Sequence, residues 1–252
     1  MAKKVSIITV VFNNREGLER TFRSIAAQTD HNALEYIVVD GGSTDGTLDI
    51  IRSNESLINL WISEPDRGLY HAMNKGLSMA SGDYVWFMNS GDALYDAHTL
   101  EAVLRAAKTG AEFIYGDTMF ISPEGHDIGL MSKVTPKKLP LNPGPNTFAG
   151  GMNICHQSVV VKRQLAPEYK EQYRMVADID WIIRILKKKP KTALCAQPLA
   201  RFELGGISQQ RIRSSWKERF HVLSRHYGLF PTLLRHIGLL FRSVWFQLFA
   251  GK

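Results

Sequence analysis

The chain of 252 residues lacks several features that mark common classes of protein. It has only two cysteines, Cys155 and Cys195, which excludes a disulfide framework and a cysteine-rich zinc cluster and favours a reducing compartment, the cytosol. No uncharged hydrophobic run reaches the roughly 18 residues of a membrane span. The first apolar run soon meets Asn13, Asn14 and Arg15, so we expect no signal peptide. These absences predict a globular protein that is soluble or lies on a membrane surface.

Two common phosphate-binding signatures are also missing. No G-x-G-x-x-G follows the first apolar run, and G-x-x-x-x-G-K-[ST] occurs nowhere, so neither a dinucleotide dehydrogenase nor a P-loop enzyme is supported. A phosphorylated ligand would need another way of being held. A divalent cation on strand-end carboxylates, Mg²⁺ or Mn²⁺, would supply it.

Negative charge is scarce: 31 basic residues outnumber 24 acidic ones, a net charge of +7. This excess favours an anionic partner, which could be nucleic acid, an acidic membrane leaflet or a phosphorylated substrate. Much of it lies near the C-terminus, where the apolar spacing predicts an amphipathic helix over 212–227, followed by an apolar stretch over 232–252. Arginines interleaved with Trp and Phe are typical of a helix at an anionic membrane surface, so we expect no nucleic-acid partner.

What the chain does have is a regular alternation of strand and helix patterns. β-branched and aromatic runs at 5–11, 36–40, 60–63, 83–88, 112–116, 158–161 and 192–196 predict buried strands. Helical periodicity lies between them, from Asn13-Asn14, from Thr47, from Leu69, near 98–108 and near 178–188. This order predicts an α/β fold, a mostly parallel sheet flanked by helices. The Pro- and Gly-rich segment 123–151 predicts a long functional loop.

Polar residues end four of the predicted strands, where ligands bind in open parallel sheets. They are Asn13, Asp40, the segment 64–67 and the segment 89–92. Each has a structural alternative: Asp40 with its two following glycines is equally a turn and helix cap, and the charges of 64–67 are equally a solvated loop. Asp178 and Asp180 begin a predicted helix, where acidic residues also favour the helix dipole. His156 and Gln157 precede a strand.

Six segments, taken together and in this order, carry a family resemblance. "VSIITVVFNN", "IVVDGGSTDGT", "SEPDRGLYHAMNKG", "FMNSGD", "HQS" and "ADIDW" resemble the glycosyltransferase family 2 enzymes of GT-A (Rossmann-like) fold. The resemblance is closest to the small transferases of bacterial exopolysaccharide assembly, such as those of colanic acid synthesis. It implies an inverting transfer from a nucleoside diphosphate sugar to an acceptor hydroxyl.

The resemblance also implies roles for individual residues. Asp178 matches the catalytic base and Asp92 the ligand of a divalent cation, Mn²⁺ or Mg²⁺. The donor-binding residues are expected to be Thr9, Asn13, Asp40, Asp66, Arg67, Asn89 and Ser90. Acceptor or diphosphate contacts are expected from His156, Gln157, Asp180 and Arg211. Arg211 lies in a loop, 200–213, that closes over the diphosphate in relatives. Arg213 of the same loop is the alternative to Arg211.

The sequence departs from the family pattern at two positions. Asn89 begins the segment that is usually D-x-D, so Asp92 is its only carboxylate and we expect metal to bind mainly together with the donor's phosphates. Ala177 stands where the family has Glu, which leaves Asp178 as the base without that neighbour. Asp180 is the alternative base.

The expected organisation is a GT-A domain over 1–210 and membrane-associating basic amphipathic helices over 211–252. Within the domain, 1–116 is expected to bind the nucleotide sugar and 117–210 to supply the acceptor and catalytic half. The expected function is transfer from a UDP-sugar or related donor to a saccharide acceptor, expected to be lipid-linked, in exopolysaccharide or surface glycan synthesis. The expected location is cytoplasmic, on the inner face of the cytoplasmic membrane. The alternative is a catalytically degenerate relative that binds nucleotide sugars or acts as a scaffold in a glycan assembly complex.

Overall fold

The computed structural model describes residues 4–206 and 211–238. The strands in these ranges are β1 (Val5–Val11), β2 (Leu34–Asp40), β3 (Leu60–Ser63), β4 (Tyr84–Phe87), β5 (Ala93–Leu94), β6 (Phe113–Tyr115), β7 (Thr118–Ile121), β8 (Asp127–Leu130), β9 (Val159–Lys162), β10 (Thr192–Leu194) and β11 (Ala200–Glu203). The helices are α1 (Arg15–Ala26), α2 (Thr47–Ser53), α3 (Leu69–Met79), α4 (Thr99–Lys108), α5 (Met131–Val134), α6 (Ala177–Leu186) and α7 (Ile212–Tyr227). A further helix begins at 229 and is described to 238.

A seven-stranded sheet in the order β10-β6-β9-β4-β1-β2-β3 forms the centre of the molecule. β1, β2, β3 and β4 run parallel, so their carboxyl ends meet at one edge. Side chains alternate between the two faces: Ile8 and Val10 of β1 join one hydrophobic core, and Ile7 and Val11 join the other. The predicted mostly parallel sheet flanked by helices is confirmed.

The strand β9 runs opposite to both of its neighbours, β4 and β6. Its apolar run was predicted as another strand, but the direction of a strand that is buried on both faces leaves no mark in hydrophobic periodicity. The reversal matters for function because it places the residues just before Val159 at the same sheet edge as the carboxyl end of β4.

A second, four-stranded sheet in the order β5-β11-β7-β8 lies beside the first. β8 and α5 lie within 123–151, which was predicted as a continuous loop, so that prediction was wrong for Asp127–Val134. β8 is short, and its pairing with β7 shifts register near Ile121. Its sequence contains a glycine at position 129 and has no regular apolar repeat that would predict a strand.

The helix α7 has the bounds that its apolar spacing predicts. Val222 and Leu223 are fully buried in the same core as α6, whereas Ile212 and Trp216 near its start are 58% and 42% exposed. The expected boundary between 1–210 and 211–252 lies just before this helix, although later residues of the helix share the domain's core. Within the described residues no helix combines the length and apolarity needed to cross a membrane. The predicted interfacial stretch beyond 238 lies outside the described residues.

Candidate active site

The turn after β4 presents Asp92 at the carboxyl edge of the main sheet. The Asp92 N–H donates to the Asn89 carbonyl at 3.0 Å, which closes a tight turn, and Gly91 takes a left-handed φ of +100°. A side chain at 91 would also collide with Glu203, whose Oε2 lies 2.9 Å from the position of an added Cβ. The turn therefore needs glycine at 91 to aim Asp92 inward.

Asp92 is a buried carboxylate that uses both of its oxygens. Oδ2 accepts a hydrogen bond from Gln157 Nε2 at 2.8 Å, and Oδ1 accepts one from the Glu203 backbone N–H at 3.1 Å. Burial raises the pKa of Asp92 to about 7, and these two donors only partly offset that effect. So high a pKa is typical of a carboxylate that binds a cation or a proton and not of a carboxylate in a surface turn.

Asp178 lies at the start of α6 and faces His156. His156 Nδ1 is 3.3 Å from Asp178 Oδ2, and both side chains are largely buried. His156 and Gln157 are consecutive residues in a single 3₁₀ turn before β9. One of them contacts Asp178 and the next contacts Asp92, so this dipeptide connects the two carboxylates that sequence analysis singled out.

Two further atoms in this cluster are buried and have no hydrogen-bond partner, Asn89 Oδ1 and His156 Nε2. Buried polar atoms without partners are rare in folded proteins, so such atoms at a site point to groups that a ligand satisfies. Asn89 Oδ1 and the Asp92 carboxylate are hard oxygen donors of the type that Mg²⁺ and Mn²⁺ prefer. Within 4–206 and 211–238 no cluster of three or more His, Cys, Asp or Glu side chains suited to a metal ion occurs. The donor set therefore fits a cation that takes its remaining ligands from phosphate oxygens.

At the end of β2, Asp40 organises the turn that follows it. Its carboxylate accepts hydrogen bonds from the N–H groups of Gly42 and Ser43 and from the hydroxyls of Ser43 and Ser63. Asn13, with a left-handed φ of +46°, accepts from the Thr44 N–H and so ties the end of β1 to the same turn. Asp40 is fully buried, and the structure shows its capping role.

Beside this turn is a narrow gap between Phe12 and Asp66. An added Cβ at Gly41 would lie 3.1 Å from Asp66 Oδ2 and 3.2 Å from Phe12 Cδ2, so only glycine leaves the gap open. The Phe12 ring is 63% exposed although it follows a buried strand. Asp66 pairs with Lys75 at 2.6 Å and with His71 at 3.1 Å. Sequence analysis missed Phe12, whose exposure after an apolar strand carries no sequence signal.

The other residues predicted to bind the sugar donor lie partly at the surface and partly in the interior of the sheet. Arg67 is exposed and pairs with Glu171, and Ser90 donates to the Asn14 carbonyl at 3.2 Å. Thr9 is fully buried: its hydroxyl donates to the Met88 carbonyl at 2.8 Å and accepts from the Tyr36 hydroxyl. Thr9 thus links β1 to the end of β4 inside the sheet and has no surface for a donor, so we do not carry it into the proposed site.

Asp180 is buried and is surrounded by three basic side chains. It accepts from His226, Arg184 and Lys170 at 2.8, 2.7 and 3.1 Å. Burial raises the pKa of Asp180, but these contacts outweigh it and lower the pKa to about 2. A carboxylate with so low a pKa, and with both oxygens already hydrogen-bonded, is unsuited to accept a proton. We therefore do not propose Asp180 as the base. Arg211 is exposed at the start of α7, next to residues 207–210, which lie outside the described ranges.

Comparison with known proteins agrees with this geometry. The sequence profile of "Glycosyl transferase family 2" matches residues 6–166. This chain belongs to that family. It is 32% identical over 216 residues to an uncharacterized glycosyltransferase of Mycobacterium tuberculosis, covering 83% of this chain and 79% of the relative. It is 31% identical over 238 residues to a PGL/p-HBAD biosynthesis glycosyltransferase of Mycobacterium bovis, covering 89% and 86%.

Solved structures share the GT-A fold of this family 2 glycosyltransferase. The structure of S. aureus TarS 1–349 in complex with UDP-GlcNAc matches with a TM-score of 0.65 and 16% identity over 97% of this chain and 73% of that one. The mannosyltransferase PcManGT of Pyrobaculum calidifontis, in complex with GDP-Man and Mn²⁺, matches with a TM-score of 0.64 and 17% identity over 99% and 81%. The predicted fold and transferase class are confirmed.

Glu218 of α7 holds the segment that leads into Asp178. Its carboxylate accepts hydrogen bonds from three consecutive backbone N–H groups, those of Arg174 and Met175 at 2.6 Å and that of Val176 at 3.1 Å. Val176 occupies the N-cap position of α6 but has no side chain that can cap a helix. In this glycosyltransferase a residue 42 positions from Val176 in sequence therefore caps α6, which local sequence patterns do not reveal.

We expect Glu218→Ala to slow sugar transfer about tenfold or more, because small displacements of a catalytic group are costly, and to lower stability by about 1–3 kcal/mol through the N–H groups it leaves unpaired. Glu218→Gln keeps an acceptor oxygen and should retain most of the rate. Asp96→Ala is the matched control, since Asp96 caps α4 on the opposite face of the sheet through the His98 N–H and the Thr99 hydroxyl. Transfer rates are measured well below the melting temperature of each variant. An equal fall in rate in Glu218→Ala and Asp96→Ala would contradict a positioning role for Glu218.

Proposed function

We propose that this chain is an inverting glycosyltransferase that moves a sugar from a nucleoside diphosphate sugar, with a UDP-sugar favoured, to a hydroxyl of a saccharide acceptor. The observation that carries the proposal is the adjacent pair His156 and Gln157, which contacts Asp178 with one residue and Asp92 with the next. One carboxylate suited to a cation and one suited to a base are thus held by two consecutive residues of one turn. That is the arrangement that a single displacement at a sugar carbon requires.

In the reaction, Asp178 accepts the proton of the acceptor hydroxyl. The acceptor oxygen forms a bond to the sugar C1 while the bond from C1 to the phosphate oxygen breaks, and the nucleoside diphosphate leaves with the electron pair. Attack from the face opposite the leaving group inverts C1. His156 orients Asp178 through Nδ1, and its buried Nε2 has no hydrogen-bond partner within the described residues.

A divalent cation fits the other side of this space. Asp92 and Asn89 Oδ1 would hold it together with the donor's phosphates, and when bound it neutralises the charge that develops on the leaving diphosphate. Gln157 and the Glu203 N–H fix the orientation of the Asp92 carboxylate. The Mn²⁺ in the complex of PcManGT supports such a cation in this fold.

The nucleoside is best accommodated at the ends of β1 and β2. The exposed Phe12 ring offers a surface on which a base can stack, with the Asp66 carboxylate across the gap that Gly41 leaves open. The carboxylate can accept hydrogen bonds from a base or ribose. The UDP-GlcNAc in TarS and the GDP-Man in PcManGT support a nucleotide-sugar donor.

Nucleotide sugars should raise the melting temperature of the protein when Mn²⁺ or Mg²⁺ is present. A ligand at about 100 times its Kd stabilises the folded state by about 2.7 kcal/mol, roughly 5 to 10 °C for a chain of this size. Thermal shift with a panel of UDP- and GDP-sugars, each with metal or with EDTA, makes the measurement. The largest shift is expected for a UDP-sugar with metal. Failure of every nucleotide sugar to shift the transition, or a larger shift by ATP, would contradict the proposal.

The C-terminal helices support location at an anionic membrane surface, with an acceptor linked to lipid in exopolysaccharide or surface glycan synthesis. Large apolar side chains of the helix from 229 are 44–68% exposed; these are Leu229, Phe230, Leu233, Leu234 and Ile237. Ile212 and Trp216 of α7 are exposed as well, and exposed basic residues, Arg213, Lys217 and Arg225, lie on α7. Apolar residues beside basic ones favour the surface of a bilayer containing anionic lipid at the inner face of the cytoplasmic membrane.

Sedimentation with vesicles tests this membrane proposal. The full chain should bind vesicles that contain anionic lipid and should bind neutral vesicles weakly, with affinity that falls as salt is added. Phe230→Ser with Leu234→Ser should reduce binding at least tenfold. The control is Leu141→Ser, which removes a side chain that is 78% exposed in the long loop. Equal binding by the double variant and the full chain would contradict the proposed surface.

A further inference from the structure

Arg20 of α1 lies against the turn that carries Asp92. Its Nη1 atom donates to the Gly91 carbonyl at 3.3 Å, and the same atom pairs with Glu203 Oε2. Its Nη2 atom donates to the Pro123 carbonyl at 2.6 Å. One guanidinium therefore joins three segments that are far apart in sequence: the turn after β4, the end of β11 and the loop after β7.

Glu203 contacts the Asp92 carboxylate through its backbone. Its N–H donates to Asp92 Oδ1 at 3.1 Å, while its side chain pairs with Arg20. The Glu203 carboxylate also lies against the turn, since its Oε2 is 2.9 Å from the position of a Cβ added at Gly91. Arg20 thus holds the residue whose N–H fixes one oxygen of the proposed metal ligand.

The residue after Arg20 contacts the backbone of the same turn. The Thr21 hydroxyl donates to the Asp92 carbonyl at 2.7 Å and accepts from the Gly91 N–H at 3.2 Å. These bonds fix the course of the turn, but in the described part of the chain none of them reaches Glu203. Arg20 is therefore the side chain by which α1 connects the turn to Glu203.

The geometry of this link suits a positioning role. The side chains of Arg20 and Glu203 are only 25% and 29% exposed, so water and salt screen their ion pair less than a pair on the open surface. A guanidinium presents its donors in a rigid planar fork, which lets it hold a carboxylate and two carbonyls at once. Groups that orient a metal ligand typically change metal affinity by about 10- to 100-fold when they are removed.

We propose that Arg20 is a positioning residue that keeps the Asp92 carboxylate oriented for the cation and the donor phosphates, acting through Glu203 and the Gly91 carbonyl. Arg20 and Glu203 are 183 positions apart, so no local pattern in the sequence indicates the pair. The assignment rests on the proposed function, because it takes Asp92 as the ligand of the cation.

Electron paramagnetic resonance of Mn²⁺, titrated into the full chain saturated with UDP, is the first measurement. Arg20→Ala should weaken Mn²⁺ binding about tenfold or more, and Arg20→Lys, which keeps the charge without the fork, should lie between this variant and the wild type. UDP affinity in EDTA should stay within about twofold, since the nucleoside contacts are separate from this link. The control is Arg23→Ala on the same helix, which removes a side chain that is 78% exposed and 3.7 Å from Glu19 and should leave Mn²⁺ affinity unchanged.

Exchange of the Glu203 amide hydrogen, followed by NMR without metal or UDP, tests the positioning directly. Arg20→Ala should speed this exchange about tenfold or more, because the bond from the Glu203 N–H to Asp92 Oδ1 opens more often when the side chain is released. The Val176 N–H, which Glu218 holds at the start of α6, should exchange at an unchanged rate. Equal acceleration at Val176 would indicate general loosening and would overturn the proposal.

A double variant tests whether Arg20 acts through Glu203. Glu203→Gln removes the ion pair and keeps the backbone N–H, so Arg20→Ala combined with Glu203→Gln should bind Mn²⁺ within about twofold of Arg20→Ala alone. Additive losses would indicate that Glu203 binds the cation itself and would overturn the proposal. Unchanged Mn²⁺ affinity in Arg20→Ala, or an equal loss in Arg23→Ala, would overturn it as well.

Failure of the proposed function would be seen separately. If the wild type binds no Mn²⁺ in the presence of UDP, the cation site of the proposed function is contradicted. Faster Glu203 exchange in Arg20→Ala would then still support Arg20 as the residue that positions Asp92, and an unchanged rate of exchange would overturn that role.

Discussion

Replacing Asp178 with Asn is expected to abolish sugar transfer while leaving donor binding intact. The amide cannot accept the proton of the acceptor hydroxyl, and loss of a general base removes about 10²- to 10⁴-fold in rate. The contact with His156 can persist because Asn keeps an oxygen in place of Oδ2 at the 3.3 Å separation. Turnover by release of nucleoside diphosphate and donor affinity by calorimetry together make the measurement.

The matched control for this variant is Asp180→Asn, two residues along the same helix. It breaks a network with His226, Arg184 and Lys170 and leaves these basic side chains without their carboxylate, so we expect a loss of stability. Its turnover per folded molecule should remain. Retained turnover in Asp178→Asn together with loss of turnover in a folded Asp180→Asn would reverse the assignment of the base.

Asp92→Asn is expected to make the protein inactive and, without metal, more stable. The amide removes the charged ligand of the proposed cation, so metal-dependent binding of nucleotide should fall at least about a hundredfold and transfer with it. Mn²⁺ should bind the wild type mainly when nucleotide is present, because one carboxylate holds a hard cation weakly. Tight Mn²⁺ binding to the free protein that survives in the variant would contradict the site. Asp127→Asn, an exposed carboxylate paired with Arg201, is the control and should change neither quantity.

The stability gain of Asp92→Asn should depend on pH in a defined direction. Burial raises the pKa of Asp92 to about 7 in the folded protein, from 3.8 ordinarily. Between pH 4 and 7 the unfolded chain has lost this proton while the folded protein retains it, so rising pH favours unfolding of the wild type. In EDTA, the difference in melting temperature between variant and wild type should therefore be small at pH 4, grow up to pH 7 and then level off. A difference independent of pH would contradict a raised pKa.

The order of strands and helices was readable from the sequence because each element carries its own periodicity. The bounds of α7 and the strands around Asp40 and Asp92 follow from it, and parallel pairing brings their ends together. Strand direction does not leave such a signal, so the reversal of β9 was missed, although it is what brings His156 and Gln157 to the site.

Contacts between residues that are far apart in the sequence could not be predicted either. Nothing local to Asp180 indicates that His226 and Lys170 pair with it, and nothing local to Glu218 indicates that it caps α6. The family resemblance implied that Thr9 binds the donor, yet its hydroxyl forms hydrogen bonds inside the sheet. A side chain on a strand that is buried on both sides can point to either face of the sheet. Only the packed structure shows which groups it contacts.

The anomeric configuration of the product tests the account most directly. A UDP-sugar selected by thermal shift is incubated with acceptor, metal and protein, and the anomeric coupling of the new linkage is read by ¹H NMR. The account predicts a linkage opposite in configuration to the donor, formed by wild type and absent with Asp178→Asn, which still binds the donor. A product that retains the donor's configuration, or equal product from Asp178→Asn, would contradict it.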